Sequence, residues 1–133
     1  LKNINFGVIL TKSNLTPWER LGIIFQELDE IIKKFKPDRV VVESLFYFKN
    51  QKTVMTVAQA RGVILLVCHL NDLEIIEMTP LEIKQALTTY GRADKQQMQK
   101  MVKLILGLSQ IPKPDDAADA LACAIAGSQI RKF

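Results

Sequence analysis

At 133 residues the chain is the size of one domain and long enough to bury a core without disulfide staples. Its 48% hydrophobic and 24% charged residues exclude a low-complexity or disordered chain. The formal charge of +4 suits a polyanion partner without singling one out, and Cys68 and Cys123 have neither metal spacing nor a disulfide framework.

In chain order, "NFGVILT" (Asn5–Thr11) reads as a strand. "TPWE" then opens a helix, with Thr16 as N-cap, Pro17 at the first helical position and Glu19 closing a capping box. Leu21, Ile24, Phe25, Leu28, Ile31, Ile32 and Phe35 recur at helical spacing, so this helix should bury one face, and Trp18 reads as a packing residue. "RVVVES" follows as a buried strand ending at Glu43. Thr53–Leu70 reads as a second helix with Gly62 inside it, and "EIIEM" (Glu74–Met78) as a strand. "TPLE" (Thr79–Glu82) repeats the Thr-Pro-x-Glu start for a helix running to about Thr88. After a loop at Tyr90, Gly91 and Arg92, a further helix carries Met98, Met101, Val102, Ile105 and Leu108 on one side, with Gly107 at its C-cap. A proline-punctuated turn leads into the last helix, which starts near Asp115. Strands alternating with helices make the class α/β with parallel pairing, in a single domain spanning residues 1–133.

No apolar run is long enough to suggest a membrane span, and the opening Leu-Lys-Asn-Ile-Asn does not read as a signal peptide. The cysteines read as reduced core residues of a cytoplasmic protein. His69, at a helix end, reads as a surface or capping residue. The lack of an initiating Met suggests further sequence upstream of Leu1.

The chemistry concentrates in acids. In the last helix Asp116, Asp119, Ala120, Cys123 and Gly127 share a stripe, and Ala118, Ala122 and Ile125 make the opposite one apolar too, so the helix should be buried all round. Capping accounts well for Asp115, partly for Asp116 and less for Asp119, a full turn in. Glu43 adds a third acid at the carboxyl end of a strand, where α/β folds place their chemistry. Carboxylates gathered without enough basic partners repel one another, and Mg²⁺, a hard ion, removes that repulsion. Two such ions about 4 Å apart form the usual clamp for phosphoryl displacement.

"VVVESLFYFKN" (Val40–Asn50), "AQARGVIL" (Ala58–Leu65), "KQALTTYGRADKQQMQKMV" (Lys84–Val102) and "PDDAADALACAIA" (Pro114–Ala126) together resemble the RuvC family of Holliday junction resolvases, the crossover junction endodeoxyribonucleases. The resemblance implies an RNase H-like mixed sheet flanked by helices, working as a homodimer that makes paired, metal-dependent nicks at a four-way DNA junction. It implies Glu43, Asp116 and Asp119 as catalytic metal ligands, two Mg²⁺ per active site with Mn²⁺ as an alternative, and a bacterial cytoplasmic setting beside a branch-migration complex. Asp115 is then left as a cap. Of the aromatics after Glu43, the resemblance singles out Phe46 for insertion at the junction, where stacking on opened bases is the chemistry on offer. Lys84 and Lys95 match lysines near the family's active site, with Lys49 and Arg92 as further DNA-binding candidates. The Gly62 helix would pair with its twin in the dimer.

The family's first acid lies in a Gly-x-Asp-x-Gly type motif on an N-terminal strand, and no such motif occurs in this sequence. The expectation is a domain lacking that catalytic strand. Two alternatives remain: a catalytically incomplete dimer that binds junctions without cutting, and an RNase H-like nuclease with another nucleic-acid substrate. A reading of all three acids as caps and surface groups predicts no metal site.

Overall fold

The computed structural model describes residues 1–44, 51–89 and 91–131. Seven elements follow in order: α1 (Pro17–Phe35), β1 (Arg39–Glu43), α2 (Gln51–Leu70), β2 (Glu74–Met78), α3 (Pro80–Thr88), α4 (Lys95–Leu106) and α5 (Asp115–Ser128). Among the described residues β1 and β2 form a two-stranded sheet. The Glu74 N–H donates to the Asp38 carbonyl at one end of the pair and the Ser44 N–H to the Met78 carbonyl at the other, so the strands run parallel, with α2 as the crossover.

Both Thr-Pro-x-Glu starts form complete capping boxes. Thr16 and Thr79 each accept from the backbone N–H of Glu19 and Glu82, and each glutamate reaches back to its cap. Asp94 and Gln97 build a third box at α4, which ends at Gly107 with φ 63°, a left-handed cap that glycine adopts without strain.

The described residues fall into two compact units that interleave along the chain. One is built from Ile9–Val40 and the described residues up to Ile76, the other from Leu1–Val8, Val41–Ser44 and the chain from Glu77 on. In the first, α1 packs along α2, and Ile32, Val67 and Cys68 are buried among Phe25, Leu28, Val63, Ile64, Leu73 and Ile75. Full burial of one such side chain is worth roughly 1.5–3 kcal/mol. Asn71 ties the two helix ends by donating to Asp29 Oδ1 and to the Val67 carbonyl, both at 2.9 Å. In the second unit α3, α4 and α5 pack on one another, and the buried residues of α5 are mostly small, among them Ala117, Ala118, Ala122 and Ala126, with Leu121 and Ile125 as the large ones. A Cβ on Gly127 would overlap the Val41 side chain, so glycine is what lets α5 lie close against β1.

Several expectations need correction. Residues 5–11 join no ladder among the described residues, and Ile4 and Leu10 are about four-fifths exposed, because a strand pattern becomes a strand only with a neighbour to bond. Trp18 is 73% exposed, since its first-turn position turns away from the packed face of α1, and Ile31 and Phe35 also lie partly outside. β1 is half-buried rather than buried, having one sheet neighbour among the described residues. α5 is not enclosed all round, for Asp116, Asp119, Ala120 and Ala124 form an exposed stripe. Lys52–Leu70 is, by length and composition alone, long and apolar enough to cross a membrane. Counting unbroken apolar runs missed this, because the average lets flanking valines and leucines carry Thr56, Gln59 and Arg61. Val63, Ile64, Val67 and Cys68 of α2 join the core with α1, while Met55, Ala58 and Gln59 are exposed.

Candidate active site

Glu43 ends β1, and Ser44 beside it is buried and bonded to Met78, which pins the strand end. α5 begins at Asp115, so its first two turns carry Asp115, Asp116 and Asp119. α3 contributes Lys84, and α4 contributes Lys95 from its first position. These segments all belong to the same compact unit.

They enclose a cleft of about 290 Å³. Glu43 and Asp119 supply its carboxylates, Lys84 and Lys95 its cations, and Ile83, Met98, Ala118 and Ala122 its apolar wall. Both acids still touch solvent at the mouth, but they lose enough hydration to shift. The Glu43 carboxyl is raised above its usual value first by burial and then by the Asp119 charge, with Lys84 opposing. Asp119 is also raised chiefly by burial, against Lys95, with repulsion from Asp116 and Asp115 adding to the rise. The Cys123 thiol is pushed up to about 11 by burial and by Glu43, so it stays a protonated core residue at neutral pH. Two partly desolvated carboxylates, with the Asp119 charge acting on Glu43, are a donor set for a hard divalent cation.

The three expected ligands do not converge equally. Glu43 and Asp119 share the cleft; Asp116 is exposed, is not part of its lining and acts on Asp119 through charge. No group of three or more His, Cys, Asp or Glu is arranged to hold a metal ion among the described residues. Arg92 is exposed in the turn before α4 and does not line the cleft. Phe46 and Lys49, with Tyr47 and Phe48, lie outside the described residues.

Asp115 is not the cap it was expected to be. The N-cap is Pro114 and makes no side-chain cap bond, while Asp115 Oδ2 lies 3.1 Å from Lys95 Nζ and its Oδ1 accepts from Gln99 Nε2 at 3.2 Å. The Lys95 bond and charge hold the Asp115 carboxyl below its usual value, with Gln99 and Lys113 adding to this. Gln99 escaped the sequence reading. Its one signal was a polar residue between Met98 and Val102 on the packed face of α4.

Residues 1–127 match the sequence model of the family described as crossover junction endodeoxyribonuclease RuvC. The chain is 55% identical over 122 residues to a crossover junction endodeoxyribonuclease RuvC of Fusobacterium nucleatum, covering 92% of this chain and 64% of that protein. It is 56% identical over 124 residues to the protein of the same description from Caldicellulosiruptor saccharolyticus, covering 93% and 75%. The chain thus spans just under two thirds of the length of the first relative. The structure superposes on a Thermus thermophilus RuvC structure with a TM-score of 0.85, at 32% identity over 92% of this chain and 74% of that one. Against T. thermophilus RuvC in complex with a Holliday junction substrate the TM-score is 0.87, at the same identity and coverage.

Proposed function

The chain belongs to the RuvC family, and from that membership we propose that it is a structure-selective DNA endonuclease, resolving four-way junctions by paired metal-dependent nicks. The observation that carries this reading is the cleft that Glu43 and Asp119 line together with Lys84 and Lys95.

Glu43 and Asp119 hold Mg²⁺ in this reading, with Asp116 drawn in from the same helix, two ions per site and Mn²⁺ able to replace them. A divalent cation bound there supplies Lewis acidity toward a phosphodiester and makes water a nucleophile near neutral pH. The chain's own groups do the rest. The two carboxylates, already short of hydration, lose little more when ligated. Lys84 and Lys95 meet the phosphate oxygens and oppose the charge that grows there in the transition state. The apolar wall at Ile83 and Met98 limits water to one side of the cleft. Phe46 stacks on an opened base, and Lys49 and Arg92 add phosphate contacts that make binding salt-dependent.

The protein acts as a homodimer, with the exposed apolar face of α2 as the pairing surface. Leu66 is 49% exposed, and Gly62 has open space where a Cβ would stand, which favours close approach of a second helix. Its setting is the bacterial cytoplasm, with a branch-migration complex as partner.

A junction-binding dimer that does not cut is the second reading. It rests on the cleft being lined by two carboxylates and not three among the described residues. An end-labelled four-way junction incubated with the chain in Mg²⁺ and run on a denaturing gel decides between them. Symmetric nicks, reduced about 10³-fold by Glu43→Gln, are expected. A junction retarded on a native gel but left intact would overturn the nuclease reading.

A further inference from the structure

We propose that Asp115, braced by Gln99, is a positioning residue that holds the Lys95 ammonium at the mouth of the acidic cleft. This rests on reading the cleft as the nuclease site.

Lys95 is the first residue of α4, where the positive end of the helix dipole disfavours a cation, and α4 has no acid in its first turn. Its side chain is 57% exposed and carries four rotatable bonds. Left alone, such a lysine would sweep through solvent. Asp94, the N-cap of α4, is committed to the Gln97 N–H, and Asp115 supplies a carboxylate from another helix. One carboxylate oxygen takes Lys95 at 3.1 Å and the other takes Gln99 at 3.2 Å. Lys95 and Gln99 are four residues apart, hence neighbours on one face of α4. Asp115 therefore bridges two adjacent side chains of α4 with both oxygens engaged, which sets its orientation as well as its distance.

The brace is firm because Gln99 is nearly buried, 9% exposed, whereas Lys95 is not. Lys113 lies 3.7 Å from Asp115 Oδ1 and is a third polar neighbour of this carboxylate. Half-exposed ion pairs add little to stability, so the arrangement is poorly explained as a stability device. An ammonium has three N–H donors, and one bond to Asp115 leaves two for a phosphate at the cleft, which Lys95 lines beside Asp119.

The test compares single-turnover junction nicking in Mg²⁺ with junction affinity in Ca²⁺. Asp115→Asn should slow nicking ~10- to 100-fold, as expected for a misplaced catalytic-site group. Affinity should hold or tighten, because a negative charge is removed from a DNA-facing surface. Asp115→Glu should recover part of the rate, and Asp115→Asn should cost nothing further in a Lys95→Met background. A rate unchanged or raised by Asp115→Asn, or a loss that persists in full in Lys95→Met, overturns the proposal. A second readout needs no DNA: acylation of Lys95, followed by peptide mass spectrometry, should quicken several-fold in Asp115→Asn. If the parent chain cuts no junction, the nuclease reading fails, and labelling alone judges the tether. Unchanged labelling then overturns it, and faster labelling sustains it.

Discussion

The two compact units differ in the side chains that pack their longest buried helices. The α1–α2 unit is filled by Phe25, Leu28, Ile32, Val63, Ile64 and Val67, large residues at helical spacing. The unit holding the cleft is packed along α5 mostly by small residues, four alanines, Cys123 and Gly127, beside Leu121 and Ile125. Large side chains keep two helices apart and make a core that tolerates little else. Small ones let α5 approach the end of β1, and that approach carries Asp119 to Glu43. Close backbone packing in the second unit serves to gather groups that repel one another. In the first unit, by contrast, the carboxyl of Asp29 is held below its usual value by Lys33 and Asn71.

Trimming each core breaks the contrast most directly. Ile32→Ala should cost about 2–5 kcal/mol in urea unfolding, through lost burial and a cavity, while the nicking rate per folded molecule stays the same. Gly127→Ala should cost less, about 1–3 kcal/mol, since the added methyl overlaps Val41 and outweighs the gain in helix propensity. Unlike Ile32→Ala, it should also lower nicking, and Val41→Ala in the same chain should restore part of both. A Gly127→Ala protein of full stability and activity would mean that the close approach is unimportant.

The twin capping boxes sharpen the comparison at a smaller scale. Thr16→Ala and Thr79→Ala each remove one cap bond and should each cost ~1 kcal/mol. Thr79→Ala should in addition weaken nicking, because α3 carries Lys84 to the cleft. Equal activity of the two variants at matched folded fraction would argue against Lys84 as a phosphate ligand.

The smallest effect is the most diagnostic in sign. Glu43 and Asp119 are raised, so the folded chain holds their protons more tightly than the unfolded chain. Their contribution is present below the usual carboxylate values, near 4.5 and 3.8, and is lost as pH rises through the raised values. Asp29 is lowered, so its contribution is present above its usual value of 3.8 and is lost as pH falls through the lowered one. Denaturant titrations across acid pH should show Glu43→Gln removing a loss on the rising-pH side, and Asp29→Asn a loss on the falling side. Divalent cation should raise the melting temperature of the parent chain at neutral pH and raise it less in Glu43→Gln. An equal rise in both would rule out Glu43 as a ligand.

Much of this protein was legible before any tertiary contact was known. Two Thr-Pro-x-Glu starts, a glycine C-cap and the "EIIEM" strand appear where local chemistry put them, because capping boxes, left-handed caps and strand propensity depend on residues a few positions apart. The "DDAADALA" and "QARGV" blocks carried the family for the same reason, being contiguous. What depends on a partner from elsewhere in the chain was not legible in advance. "NFGVILT" has a strand's pattern but no neighbour among the described residues, and Trp18 has a packing residue's bulk but no pocket. The tertiary structure alone decided that Glu43, Lys84, Lys95 and Asp119 share one cleft while Asp116 stands beside it, and that Asp115 holds Lys95 instead of capping its own helix. Charges that meet across four segments have energies set by distance and burial, and neither quantity is written in the order of residues along a chain.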